Sequence, residues 1–141
     1  MRCVVVYWSR YGNCKKVVEY LEGKLTEKAG ETQIFTTDEI NPAAMPEADV
    51  YVFSAPTEAF NVQANMRKFM KKVQGMEGKK YGLINTHGMR KSGLHKMEKL
   101  LSKKQMVKVA SVDFQVGDNP KTGNALGDGW ESKVDEFIDK L

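Results

Sequence analysis

The sequence is poor in the residues that build disulfide frameworks and metal centres. Its 141 residues include two cysteines, Cys3 and Cys14, and two histidines. The cysteines form no C-x-x-C pair, and no cluster of acids surrounds either histidine, so neither a zinc site nor another metal site is expected. Two isolated thiols agree with a reducing compartment.

Long apolar runs are also missing. No stretch approaches the roughly 20 apolar residues that cross a membrane, and no basic segment followed by a long apolar one stands at the N-terminus. We therefore expect a cytoplasmic protein without membrane association. Hydrophobic residues make up 41% of the chain and charged residues 28%, a balance that supports a packed core. One domain over residues 1–141 is expected.

Positive charge is concentrated in one part of the chain. Residues 66–108 hold 13 of the 22 Lys and Arg residues but only two of the 18 acids. Such a segment fits an acidic protein partner, or simply the solvent-facing surface of helices. Aromatic side chains are not interleaved with these bases, so nucleic-acid binding is not expected.

Strand-like and helix-like segments alternate along the sequence. The strand candidates are residues 3–8, 33–37, 50–55, 81–86 and 107–116, several of them continuous apolar runs of the kind that buried parallel strands require. Apolar residues at helical spacing follow the first, third, fourth and fifth of these segments. Five strands alternating with four helices predict an α/β fold with a doubly wound parallel sheet.

Ligands of such sheets bind outside the carboxyl ends of the strands. Three turns stand there: "SRYGNC" at 9–14, "PTEAFN" at 56–61 and "THGMRKSG" at 86–93. The first leads from a strand directly into a helix, so that backbone N–H groups and the helix dipole converge on it, and Gly12 permits close approach. Ser9 and Asn13 add uncharged donors. This pattern predicts a phosphate site; the alternative is a plain turn in which Ser9 or Asn13 caps the helix.

Competing phosphate signatures are absent. The sequence has no G-x-x-x-x-G-K-[ST] and no G-x-G-x-x-G after its first strand, so neither a P-loop nor a Rossmann dinucleotide site is supported. A response-regulator receiver needs acids where Ser9 and Ser54 stand. A low-molecular-weight tyrosine phosphatase needs an arginine six residues after Cys14, where Tyr20 stands. Nucleotide hydrolysis and phosphatase chemistry are therefore disfavoured.

The stretches "YWSRYGNCKKVVEYL", "VFSAPTEAFNVQANMRKFM" and "YGLINTHGMRKSGLHKMEKLL" together resemble the flavodoxins, whose first loop reads [TS]-x-[TS]-G-x-[TS]. The likeness spans essentially the whole chain and is closest to the short-chain type. It implies a five-stranded sheet of order 2-1-3-4-5 with helices on both faces. It also implies that three loops bind FMN through Ser9, Arg10, Tyr11, Gly12, Asn13, Cys14, Pro56, Thr57, Glu58, Ala59, Phe60, Asn61, Thr86, His87, Gly88 and Met89.

Two positions of the first loop depart from the family pattern, because Tyr11 and Cys14 replace small hydroxyl residues. A Cys14 thiolate would repel phosphate, so the site needs a protonated thiol. The start of a helix could instead lower the Cys14 pKa and make the thiol reactive, or the thiol could simply fill a threonine-sized space.

The resemblance places the flavin ring between Phe60 and Met89. Phe60 offers aromatic stacking and Met89 a soft, polarizable contact, although Phe60 could instead belong to the core. His87 could tune protonation of the flavin, or lie in solvent or cap a helix.

Three functions agree with these features, because fold alone does not fix function. The first is a monomeric electron carrier that shuttles electrons between redox partner proteins, with acidic partners at its docking face. Short length and the absence of a legible second substrate pocket favour it. The second is a small FMN-dependent NAD(P)H:quinone oxidoreductase, which His87 and the glycine-rich segment 117–129 would support. The third is a flavin-free interaction module that uses the basic surface.

Overall fold

The computed structural model describes residues 1–28, 30–58, 61–88, 92–116 and 125–141. Strands and helices alternate through these residues. In chain order the elements are β1 (Arg2–Tyr7), α1 (Asn13–Glu27), β2 (Glu31–Thr36), β3 (Val50–Glu58), β4 (Asn61–Val62), α2 (Ala64–Lys72), β5 (Lys80–His87), α3 (Leu94–Ser102), β6 (Val107–Gln115) and α4 (Trp130–Asp139).

Five of the strands form one parallel sheet in the order β2-β1-β3-β5-β6. The two-residue strand β4 pairs antiparallel with the end of β3 and lies off this path. Without β4 the strand order is the expected 2-1-3-4-5, so the predicted doubly wound α/β sheet is confirmed.

Successive side chains along the strands pack into two separate hydrophobic cores, one on each face of the sheet. Cys3 and Val5 of β1 belong to a buried cluster with residues of α1 and α4, whereas Val4 and Val6 belong to a second cluster with residues of α2 and α3. Because successive strand residues point to opposite faces, a continuous apolar run is needed wherever helices cover both faces. The predicted helices on both faces are confirmed.

The end of β3 differs from the sequence-based prediction. Strand β3 extends past the expected end at residue 55 to Glu58, because Thr57 and Glu58 pair with Val62 and Asn61 of β4. Part of the expected loop 56–61 is therefore a hairpin. No helix of the described ranges is long and apolar enough to cross a membrane.

Candidate functional site

The turns after β1, β3 and β5 meet at the carboxyl edge of the sheet around a cavity of about 390 Å³. This volume lies within the range of small-molecule pockets. Twelve described residues line it: Ser9, Arg10, Tyr11, Asn13, Cys14, Pro56, Thr57, Glu58, Thr86, His87, Gly88 and Val116. Eleven of these were predicted as cofactor-binding residues.

Helix α1 begins at the wall of this cavity without a side-chain cap. Gly12 precedes the helix in the left-handed region, at φ 95°, which an L side chain rarely adopts. No side chain caps α1 and its first turn contains no acid, whereas the Gln63 Oε1 atom caps α2 by accepting the Met66 N–H at 3.0 Å. The start of α1 thus brings first-turn backbone N–H groups and the positive end of the helix dipole to the cavity wall.

Two polar side chains shape this loop without capping the helix. The Ser9 Oγ atom accepts the Gly12 N–H at 3.1 Å and so closes the turn. The Asn13 Oδ1 atom accepts the Ala125 N–H at 3.2 Å, which joins the start of α1 to the segment before α4. The alternative interpretation, in which Ser9 or Asn13 caps α1, is not what this geometry shows.

Cys14 is buried, with a side chain 1% exposed, and its Sγ atom lies 3.3 Å from the Thr86 Oγ1 atom. Burial raises the pKa of the thiol to about 11. The thiol is therefore protonated at neutral pH, as an anion-binding loop requires. The position of Cys14 in the first turn of α1 does not make it a low-pKa, reactive thiol, because desolvation outweighs the helix dipole.

Asn85, which is fully buried, connects the second and third loops. Its Nδ2 atom donates to the Ala55 carbonyl at 2.9 Å and to the Thr57 Oγ1 atom at 3.1 Å. Its Oδ1 atom accepts the Gly93 N–H at 2.8 Å. One amide thus fixes the end of β3 relative to the start of α3, and the cavity wall at Thr57 depends on it.

His87 is 4% exposed at the end of β5, and its Nε2 atom lies 2.6 Å from the Asp113 Oδ2 atom of β6. The predicted His87 therefore lies at the cavity wall with a carboxylate partner, not in solvent. Sequence analysis missed Asp113. The available signal was its position near the carboxyl end of an edge strand, which places a polar residue next to the site.

Arg10 and Glu58 join the first and second loops. The Arg10 Nε atom lies 2.5 Å from the Glu58 Oε2 atom, and the Arg10 Nη2 atom lies 3.0 Å from the Oε1 atom. The guanidinium also lies over the Trp8 ring, 4.9 Å from its centroid. Both partners of this ion pair line the cavity.

The remaining predicted site residues fall in two groups. Gly12 and Asn61 lie beside the cavity without lining it: Gly12 precedes α1, and Asn61 pairs with Glu58. Ala59, Phe60 and Met89 lie outside the described residues. Val116 lines the cavity but was not predicted, because an apolar residue at the end of the last predicted strand carries no binding signal. The described part of the chain contains no group of three metal-ligating side chains.

The arrangement of three loops around an uncapped helix start can be compared with known proteins. The family model for the flavodoxin domain matches residues 4–114. The chain belongs to the flavodoxin family. The resemblance stated from the sequence is thereby confirmed. A comparison with curated protein sequences gives no match.

Solved flavodoxin structures share the fold at low sequence identity. Oxidised flavodoxin 1 from Bacillus cereus is 16% identical, with a TM-score of 0.72 over 100% of this chain and 99% of that one. Two-electron reduced flavodoxin from Megasphaera elsdenii is 15% identical, with a TM-score of 0.73 over 86% of this chain and 93% of that one. Rubredoxin oxygen:oxidoreductase from Desulfovibrio gigas has a TM-score of 0.83 at 11% identity; 99% of this chain matches 35% of that longer one.

The basic segment of this flavodoxin-family chain covers the α2/α3 face. Lysines of α2 and α3 are exposed there, among them Lys68, Lys71, Lys72 and Lys99. Both helices start at the carboxyl edge of the sheet and end at its amino edge, so the lysines at their ends lie far from the cavity.

Proposed function

We propose that this protein is a flavodoxin that binds one FMN and carries electrons between redox partner proteins. The observation that carries the proposal is the start of α1, which follows Gly12 at the cavity wall. No side chain caps this helix start, and its first-turn backbone N–H groups are presented to the cavity. A neutral set of donors at a helix start suits a phosphate dianion. FMN supplies reversible one- and two-electron chemistry when bound.

The donor chemistry of the described residues fits that cofactor. The first loop, residues 9–14, would hold the phosphate through backbone N–H groups and the Ser9 hydroxyl, and the protonated Cys14 thiol adds no repelling charge. Thr57, Thr86 and Gly88 would border the ring, whose polar edge suits backbone donors and acceptors. Among the residues predicted from sequence, Ala59, Phe60, Asn61 and Met89 complete this proposed site.

Titration of apo-protein with FMN tests the proposal. Flavin fluorescence should be quenched with a Kd in the micromolar range or below, and purified protein should be yellow. FAD should bind more weakly, because the first loop suits a terminal phosphate dianion. Absence of FMN binding at micromolar concentration would refute the proposal and favour the flavin-free interaction module.

A second candidate, an FMN-dependent NAD(P)H:quinone oxidoreductase, is favoured by the contact of His87 with Asp113 beside the cavity. A histidine held by a carboxylate is a suitable proton donor or acceptor. Steady-state kinetics separate the two functions: a carrier is reduced slowly by NADH or NADPH alone, whereas quinone turnover at about 10 per second or faster is typical of an enzyme.

We further propose a single-domain, monomeric, cytoplasmic protein whose redox partners have acidic docking faces. The net charge of +4 supports long-range steering of acidic proteins. Electron transfer to an acidic acceptor protein should therefore slow as salt is added. A rate that does not depend on salt would refute the steering.

A further inference from the structure

The ion pair between Arg10 and Glu58 connects two loops that are 48 residues apart in sequence. Arg10 belongs to the turn between β1 and α1, and Glu58 is the last residue of β3. The Nε and Nη2 atoms of Arg10 contact the two oxygens of the Glu58 carboxylate. This bidentate geometry makes such a pair both strong and directional. The side chains are 47% and 30% exposed, so solvent weakens the pair without removing it.

Arg10 is directed at the second loop although it lies in the loop proposed for phosphate. Its Nε and Nη2 atoms both contact Glu58, and its flat face lies against Trp8. A guanidinium held along one edge by a carboxylate and on one face by an aromatic ring is fixed in orientation. The phosphate donors of the first loop are then the backbone N–H groups and Ser9, without the Arg10 charge.

The hairpin that Glu58 belongs to is short. Only two residue pairs, Thr57 with Val62 and Glu58 with Asn61, hold β4 to β3. From the α2 side, Arg67 supports the hairpin by donating from its Nε atom to the Val62 carbonyl at 2.7 Å. Arg10 supports it from the side of α1. An isolated two-stranded hairpin is marginally stable in water, so these lateral contacts add to the hydrogen bonds of Asn85 in holding its position.

We propose that Arg10 is a positioning residue: through Glu58 it clamps the paired strands β3 and β4 to the first loop and so preorganises the wall against which the flavin ring binds. This inference rests on the proposed function, because it concerns the FMN site. The clamp strengthens binding of the flavin ring and leaves the contribution of the phosphate to FMN affinity unchanged. Preorganisation strengthens binding by reducing the ordering that the ligand must impose.

The test compares FMN with riboflavin, which has the same ring without the phosphate. Arg10→Met keeps the aliphatic stem and removes the charge, and Glu58→Gln keeps the shape of the carboxylate. Each variant should weaken binding of both flavins by the same factor, about three- to tenfold for a bidentate, partly exposed pair. The double variant should be no weaker than the single variants, since both remove one interaction.

Three results would overturn the clamp. Loss of FMN affinity with unchanged riboflavin affinity would mean that Arg10 serves the phosphate. Additive losses in the double variant would mean that Arg10 and Glu58 act separately, and unchanged affinities would mean that the pair has no role. The charge-reversed pair, Arg10→Glu with Glu58→Arg, should recover part of the lost affinity, which a purely local defect at either residue would not allow.

A readout in apo-protein separates this inference from the proposed function. The Gln63 N–H donates to the Pro56 carbonyl at 2.9 Å, next to the hairpin. Amide hydrogen exchange at Val62 and Gln63 should be faster in Arg10→Met and Glu58→Gln than in wild type, and equal exchange rates would contradict the clamp even if no flavin binds. Wild-type protein that fails to bind FMN refutes the proposed function instead.

The pair Lys28–Asp139 provides a matched control, since it joins α1 to α4 at 3.2 Å far from the cavity. Lys28→Met and Asp139→Asn remove an ion pair that is more exposed, with side chains 59% and 71% exposed. Flavin affinities and exchange at Val62 should stay at wild-type values in both variants. A loss as large as that of the Arg10 variants would show that any cross-helix or cross-loop pair has the same effect, and would refute a specific role for Arg10.

Discussion

Gly93 occupies a position with no room for a side chain. A Cβ atom at this residue would lie 2.5 Å from the Thr57 Oγ1 atom, 2.9 Å from the Asn85 Nδ2 atom and 3.0 Å from the Val62 Cγ2 atom. The backbone itself is ordinary, at φ −85° and ψ 0°, so alanine would not be strained by its dihedral angles. The obstacle to Gly93→Ala is therefore purely steric, and it involves a polar network that cannot shift freely.

We expect Gly93→Ala to lower the free energy of unfolding by about 1–3 kcal/mol, the usual range for an overpacked site. Asn85 cannot retreat without lengthening its hydrogen bonds to the Ala55 carbonyl and to Thr57. With a urea m-value of about 2 kcal/mol per molar, the midpoint should fall by roughly 0.5–1.5 M. Urea unfolding of apo-protein followed by circular dichroism measures this shift.

Gly23→Ala is the matched control, because it makes the same chemical change at an exposed position inside α1 where nothing lies within 4 Å of the added Cβ atom. This variant should gain about 0.5–1 kcal/mol, since glycine in a helix interior is less favourable than alanine. The two substitutions should thus shift the midpoint in opposite directions. A Gly93→Ala protein at least as stable as wild type would refute the steric argument.

Two further predictions concern the first loop. Gly12→Ala should destabilise the apo-protein by about 1–2 kcal/mol in urea unfolding, because Gly12 has a φ of 95° that L residues disfavour; an unchanged midpoint would contradict the assigned conformation. Burial raises the pKa of Cys14 from 9.0 to about 11, so the unfolded chain loses its proton first as pH rises through this window. Between pH 9 and 11 the free energy of unfolding should therefore decrease more steeply in wild type than in Cys14→Ala, by up to about 1.4 kcal/mol per pH unit. Parallel pH profiles of the two proteins would exclude the shift.

The parallel sheet and the helices packed on its two faces were predictable from the sequence, because they follow from local patterns of apolar residues. The run from Cys3 to Val6 is apolar at every position, which indicates burial on both faces, and the spacing of Val18, Leu21 and Leu25 gives the buried side of α1. These patterns reflect the periods of strand and helix alone. The extension of β3 to Glu58 was missed, since it depends on pairing with β4 and not on the propensity of Pro56, Thr57 or Glu58.

The residues around the cavity were predictable only as turns at strand ends. What each polar side chain contacts depends on residues distant in sequence: Arg10 on Glu58, His87 on Asp113, and Asn85 on Gly93 and the end of β3. No short motif encodes such pairs. Asn85 itself stands inside a strand that otherwise looks like apolar core, so its role in joining two loops had no signal in the sequence.

The packing of α4 against α1 has a consequence for the order in which the protein folds. Tyr20 of α1 stacks edge-on against Trp130 of α4 at 5.2 Å and donates its hydroxyl to Asp135. Val134 and Phe137 of α4 belong to the same buried cluster as Leu21. A nascent chain made from residue 1 onward therefore cannot cover this face of the sheet until α4 has left the ribosome. Until then α1 and β1 expose their apolar side chains, and chains with such exposed apolar surface are the ones that chaperones bind.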